Sequence, residues 1–148
     1  MSTENKIAAL LAVTIMFLPY VGHASLGDVV RPGEAKASTA TGQAGVGAMR
    51  EVDSVSGVTL TEYVNADNQV FAVAWSSNRI PDLKNVFGSY FDEYSNAWNH
   101  RHSLGLHTVH LETPNLKVDL SGINGTLHGL AWLPALIPQG VVIHELWQ

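Results

Sequence analysis

The sequence predicts an α+β fold in which one long amphipathic helix packs on a twisted antiparallel sheet of about five strands, in the order ββαβββ. Two alternating segments rich in β-branched residues, 58–64 and 69–75, flank the turn-forming residues 65–68, which is typical of a β-hairpin. A segment with large apolar residues at helical spacing follows the hairpin. Three further alternating segments complete the pattern.

Both faces of the segment 69–75 are apolar, which indicates a strand that is covered on both sides and lies centrally in its sheet. Strand alternation places Phe71, Val73 and Trp75 on one of these faces. Residues 48–54 form a further strand candidate that precedes the hairpin.

The helix is expected to begin at Pro81, because proline is favoured at the first helical position. Asp82 would then lie where the helix dipole favours a negative charge. Gly88 is a poor helix former, and its expected use is to let a strand or an aromatic ring approach closely. The large apolar residues occur in steps of three or four, which places them on one side of the helix: Ile80, Leu83, Phe87, Tyr90, Tyr94 and Trp98.

Three strand candidates follow the helix, at residues 106–112, 116–120 and 126–133. Asn124 and Gly125 lie between the last two and predict a tight type I′ hairpin turn. The segment 133–140 contains two prolines and is expected to cross one end of the sheet. Residues 141–147 are then expected to form an edge strand.

The first 24 residues have the pattern of a secretory signal peptide. Lys6 precedes an apolar run over residues 7–17, and the small residues Gly22 and Ala24 precede Ser25, as they do at cleavage sites. The apolar run is well short of the roughly 20 residues that a transmembrane helix needs. We therefore expect cleavage after Ala24 and a periplasmic or secreted protein with no membrane span.

The composition after the signal peptide limits both the domain organisation and the partners. Residues 25–47 are mainly small and polar, so we expect a flexible N-terminal arm, and residues 48–148 are enough for a single domain. Acidic residues outnumber basic ones by 13 to 8 in the whole chain, and no basic cluster is present. Nucleic acid is therefore not an expected partner. The chain has no cysteine, which excludes disulfides and a lipid-anchored lipoprotein.

Four of the seven histidines lie between residues 100 and 110, and imidazole is a common metal ligand. His100 and His102 are two residues apart and could bind zinc or copper from an extended segment, with His107 as a third ligand. The alternative is that they are surface histidines near the C-terminus of a helix, where positive charge is favoured. The sequence contains neither an HExxH motif nor a cysteine ligand that would support the metal site. Apart from zinc or copper, no cofactor is expected.

The sequence does not indicate catalysis. It contains no GxSxG motif for a nucleophilic serine, and the adjacent Asp92 and Glu93 would diverge by about 100° on a helix. The proline-containing segment 133–140 either caps the core or contacts a partner. The candidate partner-binding residues in it are Leu133, Leu136 and Ile137.

Three segments occur in a distinctive order behind a signal peptide that ends at ASLGD: VTLTEYVNADNQVFAVAWS, IPDLKNVFGSYFDEY and AWLPALIPQGV. From about Arg50 onward, the chain resembles the bacterial family known as domain of unknown function 2844. This resemblance implies a small exported protein of Gram-negative type, and it supplies no catalytic residues. The NADN turn departs from the family pattern, in which glycine is more usual, and this affects only the turn geometry.

These observations together predict an exported, non-enzymatic module that binds a ligand or associates with the cell envelope. The alternative function is metal binding through His100 and His102. The expected partner is a protein or a small apolar ligand. A concave aromatic surface that is open to solvent between helix and sheet would favour the ligand, whereas a filled core would favour contact with a protein.

Overall fold

A seven-stranded antiparallel sheet and an interrupted helix form the part of the chain that the computed structural model describes, which comprises residues 25–31, 33, 36–37, 47–53, 57–101 and 108–146. The predicted signal peptide lies outside these residues. The α+β class is confirmed. The strands are Lys36–Ala37 (β1), Gly47–Asp53 (β2), Val58–Val64 (β3), Val70–Ser77 (β4), Thr108–Glu112 (β5), Lys117–Ile123 (β6) and Thr126–Trp132 (β7).

The strand order across the sheet is β1-β2-β3-β4-β7-β6-β5. The sheet has more than the five or so strands expected, because β1 and β2 extend one edge. β4 is the central strand, as its two apolar faces predict. The turn between β6 and β7 also agrees with the sequence, since Asn124 and Gly125 have φ values of 51° and 80°, as a type I′ turn requires.

The alternation along β4 is broken near its start. Val73 and Trp75 face the helix, but Phe71 belongs to the hydrophobic cluster on the opposite face. The expectation that all three share one face is therefore wrong. The register between β3 and β4 shifts at Tyr63 and Val64, and such an irregularity adds a residue to one strand and reverses the alternation beyond it.

The helix consists of Leu83–Phe87 (α1), a 3₁₀ turn at Gly88–Tyr90 and Phe91–His100 (α2). Asp82 is its N-cap residue and accepts hydrogen bonds from the backbone N–H groups of Lys84 and Asn85, at 3.1 and 3.3 Å. Because the helix begins after this cap, Ile80 is not part of the apolar stripe. Its side chain is 72% exposed, contrary to expectation.

The residues directly after the predicted cleavage site pack into the core, which differs from the mobile arm that their composition suggests. Leu26 and Val30 are only 1% and 4% exposed. The backbone N–H of Leu26 donates to the Val86 carbonyl at 3.0 Å, and that of Gly27 donates to the Val70 carbonyl at 2.8 Å. Two buried apolar side chains and these backbone hydrogen bonds together attach this N-terminal segment, residues 25–31, to α1 and β4.

Gly88 interrupts the helix because the N-terminal segment passes close to it. Gly88 has a φ of 52°, and a Cβ atom at this position would lie 2.7 Å from the Cβ of Ser25. A side chain there would both clash with Ser25 and strain the backbone. The close approach that the sequence predicts at Gly88 is therefore made by the N-terminal segment.

The end of the chain covers the face of the sheet opposite to the helix. Short 3₁₀ turns lie at Pro134–Leu136 and Ile143–Leu146, so the expected edge strand at residues 141–147 is wrong. Leu146 is 1% exposed, and its carbonyl accepts a hydrogen bond of 2.9 Å from the buried Tyr63 hydroxyl. A turn brings Leu146 over this face, where it joins the cluster that contains Tyr63 and Phe71.

Candidate functional site

A cavity of about 700 Å³ lies between the helix and the sheet and is here called the helix–sheet cavity. Ile80 and Leu127, which are 72% and 36% exposed, lie on its lining, so the cavity opens to solvent. No described side chain fills it. Most of its lining residues are aliphatic or aromatic: Trp75, Ile80, Pro81, Leu83, Phe91, Tyr94, Trp98, Val109, Leu120, Gly122 and Leu127.

Trp75 in β4 lies on the sheet side of the cavity. Its indole covers Gly129 of the neighbouring strand β7, which pairs with it directly. A Cβ atom on Gly129 would lie 1.9 Å from the indole, so any other residue at this position would displace the ring. The absence of a side chain at Gly129 therefore sets the position of Trp75.

Three aromatic residues of α2 form the opposite wall. Phe91, Tyr94 and Trp98 are spaced by three and four residues, which places them on one side of the helix. The Phe91 and Tyr94 ring centroids are 6.3 Å apart, and those of Tyr94 and Trp98 are 5.9 Å apart. Their rings form a continuous aromatic wall, to which the helical stripe read from the sequence contributes Tyr94 and Trp98.

The polar groups of the lining are few: Asp82, Lys84, Arg101, Ser121 and His128. Asp82 is already used as the helix N-cap. Arg101 follows α2 directly, and its guanidinium carbon lies 3.5 Å from the Trp98 ring centroid. Its Nη1 donates a hydrogen bond of 2.6 Å to the Trp98 carbonyl. The guanidinium is therefore held beside the aromatic wall by two contacts.

Burial raises the pKa of the Tyr94 hydroxyl, and the positive charge of Arg101 opposes this effect in part. Tyr94 therefore remains a neutral hydrogen-bonding group at physiological pH. The positive charge of Arg101 therefore acts on Tyr94, the middle residue of the aromatic wall.

Of the three histidines in the predicted metal site, only His100 is among the residues that the structure describes. His100 is exposed, and its Nδ1 lies 2.7 Å from the Asn96 carbonyl of the preceding helical turn. His102 and His107 lie outside the described residues. Within the described ranges, no three histidine, cysteine or acidic residues lie together in a way that could hold a metal ion. The metal site therefore stays a prediction.

A His–Asp pair lies on the other face of the sheet and was not found from the sequence. His110 and Asp119 are direct cross-strand neighbours in β5 and β6, and His110 Nδ1 lies 2.6 Å from Asp119 Oδ1. The side chain of Asp119 is only 10% exposed. Only the pairing register of β5 and β6 brings His110 and Asp119 together. The pair can therefore be recognised only when the alignment of these two strands is known.

The candidate partner-binding residues pack against the protein itself. Leu133 is 2% exposed and belongs to the cluster beneath the helix. Leu136 and Ile137 are half-buried and pack against the cluster on the opposite face. These contacts are the ones expected if the segment caps the core.

Among the described helices, none has the length and apolar character that crossing a membrane requires.

Comparison with known proteins identifies one family. No curated protein and no solved structure matches the chain. The family model described as protein of unknown function, DUF2844, matches residues 22–146. This match covers most of the chain, including the helix and every described strand of the sheet. The protein therefore belongs to the DUF2844 family.

Proposed function

We propose that this protein binds a small apolar molecule in the helix–sheet cavity and that it does so outside the cytoplasm, as an exported, non-enzymatic binding protein. The observation that carries the proposal is the aromatic cavity of about 700 Å³. Ligand pockets generally have volumes of about 300–1,000 Å³, apolar walls and a small number of polar groups. The cavity fits this description in all three respects.

The energetics also favour an apolar ligand. The rings of Trp75, Tyr94 and Trp98 present apolar surface to the cavity, and covering such surface is favourable. Each buried CH₂ group of a ligand contributes about 0.8 kcal/mol. A chain of about eight carbons would therefore gain roughly 6 kcal/mol before the costs of association are subtracted.

The sequence left two kinds of partner open, and the cavity favours one of them. An open, concave aromatic surface lies between helix and sheet, whereas Leu133, Leu136 and Ile137 are occupied by contacts within the protein. A small apolar ligand therefore has better support than a protein partner that docks on the segment 133–140.

Titration with phenylnaphthylamine, a neutral fluorophore that brightens in apolar surroundings, tests the proposal. We expect saturable binding of one molecule per protein. Val109 lines the cavity, so Val109→Trp should fill the space and abolish the signal. Val142 is 49% exposed and does not line the cavity, so Val142→Trp is the matched control and should bind normally.

Cooperative melting of both variants is required, so that loss of binding cannot be attributed to unfolding. Equal binding by wild type, Val109→Trp and Val142→Trp would place the probe elsewhere and reject the cavity as the site.

Export is tested separately by the intact mass of the protein recovered from a periplasmic or secreted fraction. The apolar run at residues 7–17 and the small residues before Ser25 predict a mass that begins at Ser25. Recovery of a species that retains Met1 would contradict export by this route.

A further inference from the structure

We infer that the ligand is an amphipathic monoanion, a single-chain carboxylic acid of the fatty-acid type, whose carboxylate binds Arg101 while its chain occupies the aromatic cavity. This inference rests on the proposed function and adds the chemistry of the ligand's head group. It is carried by the position of Arg101, by the lack of a carboxylate partner for Arg101 among the described residues and by the charges of the lining.

Arg101 is positioned at the end of the aromatic wall. Its stacking on Trp98 and the hydrogen bond from Nη1 to the Trp98 carbonyl hold the guanidinium in one place. A guanidinium has five N–H donors, and only one donor is used in this bond. Among the residues that the structure describes, none accepts a hydrogen bond from the remaining donors, which could therefore bind a group that enters the cavity beside Trp98.

Arg101 makes no ion pair with a carboxylate within the part of the chain that the structure describes. Lys84, the second cation of the lining, makes none there either. The lining has one carboxylate, Asp82, which already accepts bonds from two backbone N–H groups and from the Asn85 side chain. Two cations and one carboxylate leave the lining with one net positive charge, which is complementary to a monoanion.

The head group is assigned to Arg101 because of its geometry. A guanidinium offers two parallel N–H groups that match the two oxygens of a carboxylate, whereas the Lys84 ammonium is a flexible point charge. Arg101 also adjoins Trp98 and, through its charge, affects Tyr94. A carboxylate on Arg101 therefore places the attached chain directly against the aromatic wall.

Displacement of phenylnaphthylamine by three competitors with the same chain tests the inference: dodecanoate, dodecanol and dodecylammonium. A charge-assisted hydrogen-bonded pair should make dodecanoate bind at least about tenfold more tightly than dodecanol. Dodecylammonium should bind more weakly than either. Concentrations are kept below those at which the competitors form micelles.

Arg101→Gln should remove the preference for dodecanoate, so that the ratio of the dodecanoate and dodecanol affinities falls to about one. Lys117→Gln removes the same charge from the opposite face of the sheet, where Lys117 pairs with Glu112, and should keep the preference. Loss of the preference in Lys84→Gln but not in Arg101→Gln would overturn the assignment to Arg101.

These experiments distinguish a failure of the head-group inference from a failure of the proposed function. If dodecanoate and dodecanol compete equally, the head-group inference is wrong and the apolar site stands. If the probe does not bind to the cavity at all, the proposed function fails first. Sedimentation of the protein with phosphatidylglycerol vesicles, without displacement by dodecanoate, would reject a free acid in favour of a membrane surface.

Discussion

Phe87 is a buried side chain that packs against an aromatic ring on each side of the helix–sheet cavity. It is 0% exposed, and its ring centroid lies 6.0 Å from that of Trp75 and 4.6 Å from that of Tyr94. It therefore supports both sides of the helix–sheet cavity from beneath. The sequence predicted the burial of Phe87, because this residue lies in the middle of the apolar stripe, but not its position beneath a cavity.

Phe87→Ala should lower the free energy of unfolding by about 3–5 kcal/mol, because it removes a fully buried ring and leaves a cavity. Asn96 is exposed on α2, so Asn96→Ala should change it by no more than about 0.5 kcal/mol. Urea titration of both variants provides the comparison. Equal losses would mean that the helix packs through a different side.

Glu93 connects the helix to the turn between β5 and β6. Its carboxylate oxygens accept hydrogen bonds from the backbone N–H and the side-chain amide of Asn115, at 3.1 and 3.2 Å. The Thr113 hydroxyl and these Asn115 groups lower the pKa of Glu93, and burial opposes them in part. The sequence did not predict this contact, because nothing near Glu93 in the chain shows that the turn between β5 and β6 reaches it.

The lowered pKa of Glu93 predicts an acid-sensitive contribution to stability. A carboxyl group with a lower pKa in the folded state stabilises the fold above its unfolded-state pKa, and this contribution is lost as the pH falls through the folded-state pKa. Glu93→Gln should therefore flatten the decrease in the urea midpoint below about pH 4.5. Parallel pH profiles of wild type and variant would contradict this role.

At the scale of elements, the N-terminal segment is the main departure from the sequence analysis. Val29 and Val30 are adjacent, yet the first is 67% exposed and the second 4% exposed. The segment also pairs with the first residue of β4 and the turn before it: the Val70 N–H donates to the Asp28 carbonyl at 2.9 Å, and the Val30 N–H donates to the Asn68 carbonyl at 2.8 Å. It is therefore part of the folded domain.

Val30→Ala should destabilise the protein by about 2 kcal/mol, because it removes buried methyl groups. Val29→Ala is the same change at an exposed side chain and should lie within about 0.5 kcal/mol of wild type. Thermal or urea unfolding of the two variants provides the measurement. The same small effect in both would show that this segment is an arm that contributes little to stability.

The elements that the sequence predicted are those with a strong local pattern. The β3–β4 hairpin, the helix and the Asn124–Gly125 turn each follow from neighbouring residues alone. The N-terminal segment was missed because Leu26 and Val30 stand among small and polar residues, and the segment packs against α1 and the start of β4, which are distant in the chain. The C-terminal turn was missed because the position of Leu146 depends on Tyr63 across the sheet.

At the scale of the whole molecule, the path of the chain creates the cavity. After β4 the chain crosses one face of the sheet as α1 and α2, and it returns through β5, β6 and β7, the last of which pairs with β4. The aromatic stripe was readable from the sequence. The lining supplied by Val109, Leu120 and Leu127 was not, because it depends on the pairing of strands that are distant in the chain.

Metal binding, the alternative function, is tested through the stability of the whole protein. A metal ion that binds only the folded protein, at about a hundred times its dissociation constant, would stabilise it by about 2.7 kcal/mol. We expect no such gain, so micromolar zinc or copper should leave the melting temperature unchanged. An increase that disappears in the His100→Ala, His102→Ala double variant would establish the metal site.

The central claim is that a small apolar molecule occupies the helix–sheet cavity, and the tryptophan indole N–H signals in NMR spectra test it most directly. Trp75 and Trp98 line the cavity, whereas Trp132 belongs to the cluster on the opposite face. Saturation with phenylnaphthylamine should shift the signals of Trp75 and Trp98, assigned through single Trp→Phe variants, and leave that of Trp132 in place. A shift confined to Trp132, or no shift in any of the three, would contradict the claim.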